Sequence, residues 1–194
     1  VPGPDGIGLP EGGGYGTVHP TTIVIAGVAG VGKSTVMARL EERLAWATLE
    51  GDELHPPANV EKMRRGIPLD DADRWPWLDR IGAWIDSRER HGEDAVLTCS
   101  ALRRDYRDRL RAGRPSVWFA LLEAPLPALE ARIVARTGHF MPPELLVSQL
   151  DVLEPLALDE PGRIVDASRP PDSIADWIIE ALTRDGRRIR PAAS

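Results

Sequence analysis

The stretch TTIVIAGVAGVGKSTVMARLEERLA, Thr21 to Ala45, changes character twice. Its first six residues are a short β-branched apolar run, which reads as a buried strand. A glycine-rich segment follows, Gly27 to Thr35. From Ser34 to Ala45 the apolar residues return at helical spacing, with Val36, Met37, Leu40 and Leu44 on one face. Strand, glycine loop and helix are the setting in which G-x-x-x-x-G-K-[ST] holds phosphate. The glycines let backbone N–H groups turn inward, and the helix N-terminus adds partial positive charge. Gly27, Val28, Ala29, Gly30, Val31, Gly32, Lys33, Ser34 and Thr35 are therefore candidate nucleotide contacts. Lys33 is placed to reach the β- and γ-phosphates of ATP, and the Ser34 hydroxyl to ligate Mg²⁺. A glycine turn that binds nothing is the competing reading, and the flanking strand and helix weigh against it.

The rest of the chain supports one domain. Its 194 residues are 42% hydrophobic and 28% charged, the balance of a globular protein rather than a disordered one. Residues 1–20 are rich in Gly and Pro without periodicity and read as a flexible arm. The remainder divides into a domain over 21–184 and a basic tail over 185–194. Further strands are expected at Ala47–Glu50, Ala95–Ser100, Ser116–Leu122 and Arg163–Val165. Helices are expected at Asp70–Arg90, Arg103–Arg111, Pro127–Arg136, Pro142–Leu153 and Asp172–Thr183. Strands alternating with helices predict an α/β fold, a parallel five-stranded sheet with helices on both faces. Ligands of such sheets bind beyond the carboxyl ends of the strands.

Composition narrows the function. A net charge of −6 opposes general nucleic-acid binding, which needs a basic field. No apolar run approaches a membrane span, and no signal peptide is visible, so no membrane partner is expected. One cysteine, Cys99, fits a reducing compartment, hence a cytoplasmic location. The chain has 22 arginines but only two lysines, Lys33 and Lys62, and one residue each of Asn and Gln, Asn59 and Gln149. The Asn-Lys-x-Asp motif of a GTPase is absent, as are the glycine and catalytic loops of a protein kinase. A small nucleotide-dependent kinase or an ATPase module remains.

Four blocks sharpen this: GVAGVGKST, GDELHPPANVEKMRRGIPLDDADRWPWL, CSALRRDYRDRLR and ARTGHFMPPELLVSQLDVLEP. In order and spacing, from about Thr22 to Ala167, the chain resembles the gluconokinase family of small P-loop kinases. The resemblance implies a nucleoside-monophosphate-kinase-like P-loop NTPase fold with a helical lid. It also implies ATP with Mg²⁺, gluconate as acceptor, 6-phosphogluconate as product, and commonly a homodimer. Rival acceptors on the same fold are shikimate or a nucleotide. A rival of another class is a P-loop module that binds ATP without catalysis.

Gluconate is a linear polyol ending in a carboxylate, so its site needs cations, hydrogen-bond acceptors and a means of aiming the terminal hydroxyl. Asp52, after the second strand, can accept a hydrogen bond from the attacking hydroxyl or hold a magnesium-bound water. Both roles stay open, and a turn cap is the bland alternative. His55 lacks the partners for a zinc site and suits hydrogen bonding to substrate; a surface histidine is its alternative. Lys62, Arg74, Ser100 and Arg103 fall within the matching blocks and are expected around the sugar acid and its carboxylate. For Arg107, Arg109 and Arg111 a solvated helix face is the stronger expectation. Trp75, Trp77 and Trp84 are expected to pack.

Arg132 and Arg136 share a helix face, and His139 follows in a segment that related kinases use as a lid, here about 136–156. The two arginines are expected to neutralise the phosphoryl group in transit, and His139 to meet the substrate. The loop Asp166 to Pro170 is expected near adenine by likeness alone. The third strand lacks the terminal acid that often supports Mg²⁺, leaving Asp52 as the nearest candidate.

Overall fold

The computed structural model describes residues 19–135 and 143–189. Its core is a parallel sheet in the order β2-β3-β1-β4-β5. The strands are β1 (Thr22–Ala26), β2 (Ala47–Glu50), β3 (Ala95–Thr98), β4 (Val117–Glu123) and β5 (Gly162–Asp166). Every residue of β1 is buried, as its unbroken apolar run requires of a central strand with both faces covered. β1 pairs with β3 through Ile23↔Val96 and with β4 through Ile23↔Trp118.

Seven helices are described: α1 (Lys33–Leu44), α2 (Pro57–Arg64), α3 (Asp71–His91), α4 (Arg104–Arg111), α5 (Leu126–Ala135), α6 (Pro143–Asp151) and α7 (Pro171–Arg184). On one face of the sheet, Val36, Met37 and Leu40 of α1 pack with Ile174, Ile178 and Leu182 of α7. On the other, Trp77, Leu78, Ile81 and Ile85 of α3 pack with Tyr106 and Leu110 of α4. Adjacent strands β1 and β3 thus send their helices to opposite faces. The crevice between those two strand ends is the topological switch point, where ligands bind in such sheets.

The expected elements are present, with ends moved by no more than two residues. Helix α3 is the longest, from Asp71 to His91, and tolerates Pro76 as its sixth residue. A capping box holds its start: the Asp73 N–H donates to Asp70 Oδ1 at 2.9 Å, and the Asp70 N–H to Asp73 Oδ2 at 3.1 Å. That box fixes the first turn, which carries Asp71 and Arg74. No described helix is long and apolar enough to cross a membrane.

One expectation is overturned. Arg107 is not on a solvated face; it is fully buried. Its guanidinium forms a two-pronged pair with Glu160 and donates to four carbonyls, those of Ala101, Leu102, Glu154 and Pro155. Arg109, two residues on and so turned to the other side of the helix, is half-exposed and pairs with Asp79. The charge run alone does not separate the two, because the buried partner lies 53 residues away in sequence.

Candidate active site

The phosphate loop leaves β1 and enters α1, as its motif demands. Gly27, Gly30 and Gly32 have φ of 136°, 77° and 108°, values that disfavour any residue with a Cβ. At Gly27 a Cβ would also lie 2.7 Å from the Leu122 carbonyl oxygen. The Lys33 ammonium folds back and donates to the carbonyls of Gly27 and Val28, both at 3.0 Å. Ser34 is half-buried in the first turn of α1. Among the described residues no three His, Cys, Asp or Glu side chains gather as a metal site. This donor set fits a magnesium ion that arrives with nucleotide phosphates and takes the Ser34 hydroxyl as a ligand, rather than one held by protein alone.

Beside the loop lies a cleft of about 370 Å³ between Gly30–Gly32 and Thr35 on one wall and Ala167, Arg169 and Pro171 on the other. Arg132 of α5 spans it, donating to Val31 O at 2.9 Å and to Ala167 O at 2.6 Å. The loop after β5 therefore shares this cleft with the phosphate loop. Arg136 and His139 lie outside the described residues.

The acceptor side is built from β2, β3 and α3. Thr98 at the end of β3 donates to Glu50 and accepts from the Gly51 N–H, binding the end of β2 to β3. Gly51 lies so close to β3 that a Cβ would be 2.2 Å from the Thr98 carbonyl oxygen. A 3-10 turn, Gly51–Leu54, then lifts Asp52 into solvent. His55 is buried instead of exposed: its ring stacks on Trp77, centroids 4.1 Å apart. Its Nδ1 faces the Asn59 amide at 3.3 Å and its Nε2 faces Asp52 at 3.8 Å. Burial pushes the His55 pKa down; the Asp52 carboxylate opposes this and Arg74 adds to it. His55 is thus a neutral prop beneath Asp52. Trp77 packs as expected and also donates to Gly51 O at 2.7 Å.

The cations divide. Lys62 is held by both carboxylate oxygens of Asp73 at 2.6 Å. Arg103 pairs with Asp71 and Asp105 and covers the Tyr106 ring at 5.2 Å. Arg74 covers the same ring at 5.6 Å and donates to Leu69 O. Among the described residues no carboxylate comes within ion-pairing distance of Arg74, so of Lys62, Arg74 and Arg103 it alone keeps a charge without an acidic partner.

These groups converge at the end of β3. Burial pushes the Cys99 thiol up to about 12, and its sulfur also feels Asp52, Lys33 and Arg74. Acid, phosphate-loop lysine and arginine therefore all act electrostatically on one strand end, although 22 or more residues separate Arg74 from the other two in sequence. Ser100 follows, its carbonyl accepting from the Gly27 N–H at 3.1 Å. Next comes Ala101, buried with φ of 38°, a left-handed backbone uncommon for a residue with a Cβ. Arg107 holds its carbonyl there.

A family model described as an AAA domain matches residues 23–156. The gluconokinase of Gluconobacter oxydans (strain 621H) is 46% identical over 162 residues, covering 84% of this chain and 91% of that one. The chain belongs to the gluconokinase family. The thermoresistant gluconokinase of Escherichia coli (strain K12) is 38% identical, covering 83% of this chain and 93% of its own. Among solved structures, a gluconokinase from Sinorhizobium meliloti 1021 superposes with a TM-score of 0.77 at 43% identity, covering 86% and 93% of the two chains. A shikimate kinase from Aquifex aeolicus shares the fold alone, at 15% identity and a TM-score of 0.55.

Three residues that the structure joins to the candidate site were not singled out as site residues by the sequence. Asp71 and Tyr106 frame Arg74 and Arg103, with the tyrosine hydroxyl donating to Asp71 at 2.6 Å. Gln149, the only glutamine, accepts from the Ala29 N–H of the phosphate loop at 2.7 Å. Its uniqueness in the composition was the available signal. Nothing in the sequence marked Glu160 as the partner of Arg107.

Proposed function

We propose that this chain transfers the γ-phosphoryl group of ATP to the 6-hydroxyl of D-gluconate, giving 6-phospho-D-gluconate and ADP. Family membership supports the acceptor. The observation that carries the chemistry is the joining of the glycine cradle and Lys33 to the end of β3 through the Gly27 N–H and Ser100 O, with the turn that bears Asp52 tied to the same strand end through Gly51 and Thr98.

The nucleoside lies in the cleft between Gly30–Gly32 and Ala167–Pro171, and Arg132 contacts the phosphates. Lys33 leaves its own loop carbonyls for the β- and γ-phosphates. Gluconate lies over the turn after β2. Arg74 takes its carboxylate in a charge-assisted fork, with Arg103, Lys62, Ser100 and His55 around the chain and His139 on the lid side. Asp52 accepts the hydrogen bond of the 6-hydroxyl and aims it in line. The O6–P bond forms as the bond from phosphorus to the β,γ-bridging oxygen breaks, ADP leaves, and the hydroxyl proton passes to Asp52 or to water. Such transition states are largely dissociative, so alignment and charge neutralisation supply most of the rate. A magnesium ion on the nucleotide, with Ser34 and through water Asp52, would add charge neutralisation.

The reading extends to a helical lid over about 136–156, which includes α6 and to which Arg136 belongs. It also extends to an N-terminal arm over 1–20, a tail over 185–194 and a homodimer. A cytoplasmic location suits the single buried cysteine. A coupled assay of ADP release with gluconate, other aldonates, shikimate and nucleoside monophosphates tests the whole. Gluconate should give the highest kcat/KM; turnover no faster than with water alone refutes the reading.

A further inference from the structure

The bond between Gln149 and Ala29 lies at the junction of the two half-sites. The phosphate loop runs from Gly27, whose N–H meets Ser100 on the acceptor side, to Gly30–Gly32, which line the nucleotide cleft. Ala29 lies between them in the loop. Gln149 reaches it from α6 and is half-buried. Its placement is fixed from behind. Five residues on, the Glu154 N–H donates to Leu102 O at 2.9 Å, and the Glu154 carbonyl accepts from buried Arg107 at 3.0 Å.

The chemistry of this bond orients the amide. A backbone N–H can only donate, so the atom facing Ala29 is the side-chain oxygen, Oε1. The amide nitrogen, Nε2, is then turned away from the loop backbone, and among the described residues it has no protein acceptor. Its two N–H groups are left for a ligand beside the phosphate loop. A cap for the Ala29 N–H needs only an acceptor, and a carboxylate serves as well; the amide nitrogen is the part that a cap does not explain.

We propose that Gln149 is a catalytic residue whose Nε2 donates to an oxygen of the γ-phosphoryl group during transfer, held in aim by the Ala29 N–H. The inference rests on the kinase reading above and deepens it. A neutral donor here adds a hydrogen bond to charge that is leaving ADP, without the ion pair that would hold the product back. It also gives the site a contact that ATP has and ADP lacks.

The substitution Gln149→Glu separates this role from capping. It keeps an acceptor for Ala29 but replaces the donor with a second anion beside the phosphates. Titration calorimetry, without gluconate, would compare a non-hydrolysable ATP analogue with ADP. We expect an unchanged melting temperature for the free protein, a loss of about tenfold or more in affinity for the analogue, and a change under about threefold for ADP. With gluconate, kcat should fall about 100-fold. If the Glu protein melts early, Gln149→Met removes the donor without adding charge; it also removes the Ala29 acceptor, so the analogue-to-ADP affinity ratio, which a lost cap alone leaves unchanged, is its readout. An analogue-to-ADP ratio equal to that of the unsubstituted protein, with kcat within about twofold, overturns the inference and leaves Gln149 as a cap. Absence of gluconate turnover in the unsubstituted protein would instead refute the functional reading, and the binding ratio still decides the role of Gln149.

Discussion

The guanidinium of Arg107 and the carboxylate of Glu160 meet in two parallel hydrogen bonds, Nε to Oε1 at 2.6 Å and Nη2 to Oε2 at 3.0 Å, with neither side chain exposed. The same arginine donates to Ala101 and Leu102 on the acceptor loop and to Glu154 and Pro155 beyond α6. It thus staples two functional segments together. Replacing it by Met leaves Glu160 buried without its cation, and should cost about 3–5 kcal/mol in urea unfolding. The double substitution Arg107→Met with Glu160→Leu should recover part of that loss. A single-substitution cost below about 1 kcal/mol would contradict the staple.

Gly51 owes its identity to close approach, not to its φ. A methyl group there would lie 2.2 Å from the Thr98 carbonyl oxygen, a backbone atom that cannot swing aside. Gly51→Ala should destabilise the fold by about 1–3 kcal/mol. Because Asp52 is the next residue, a shift of about 1 Å should also lower kcat by up to roughly 100-fold. Thermal melts and steady-state rates on one preparation check both; an alanine protein with normal kcat would detach Asp52 from this contact.

His55 makes stability depend on pH. Burial lowers its pKa, so the unfolded chain binds a proton more readily than the folded one. Its contribution is whole above the ordinary value of about 6.5 and is lost as pH falls from there through the lower folded value. His55→Phe keeps a ring against Trp77 and removes the titration. Urea midpoints from about pH 7.5 down to about pH 5 should fall less steeply in the Phe protein. Equal slopes would place the acid sensitivity elsewhere.

Lys33 and Asp52 are expected to fail differently. Lys33→Ala should abolish transfer, because no other cation enters the phosphate loop from α1. Asp52→Asn should lower kcat by about 100-fold or more with every acceptor, as the amide still reaches the hydroxyl but takes no proton. Melting temperature should hold, since Asp52 is exposed. Turnover of the Asn protein at the unsubstituted rate removes Asp52 from the mechanism.

Arg74→Ala should raise KM for gluconate about 10- to 100-fold, the loss expected for a charge-assisted fork, with KM for ATP within about twofold. The uncharged six-carbon polyol should then lose its disadvantage against gluconate. If KM for both substrates is unmoved, the carboxylate lies on another cation.

The fold was legible because its signals are local. An unbroken β-branched run buries on both faces, a glycine loop frees N–H groups, and helical spacing places Val36, Met37 and Leu40 on one face. Each acts within a few residues of chain. The same locality explains the recognition of Lys33 and of the acid after β2. What the sequence could not assign was the partner of each charge. Arg107, Arg109 and Arg111 look alike in a row, yet one is buried on Glu160, one rests on Asp79 in solvent, and one lies against Asp108. Lys62 and Arg74 look equally free, yet Asp73 takes the first and leaves the second.

The sequence by itself determined a phosphate cradle on an α/β sheet and a family of acceptors. The tertiary structure decided that Arg74 keeps no carboxylate partner, that His55 is buried against Trp77, and that Gln149 touches the loop. Electrostatic partnership acts through space over a few ångströms, and pairs such as Arg107 with Glu160 or Ala29 with Gln149 become neighbours only once the sheet has brought distant segments to the ends of β1 and β3.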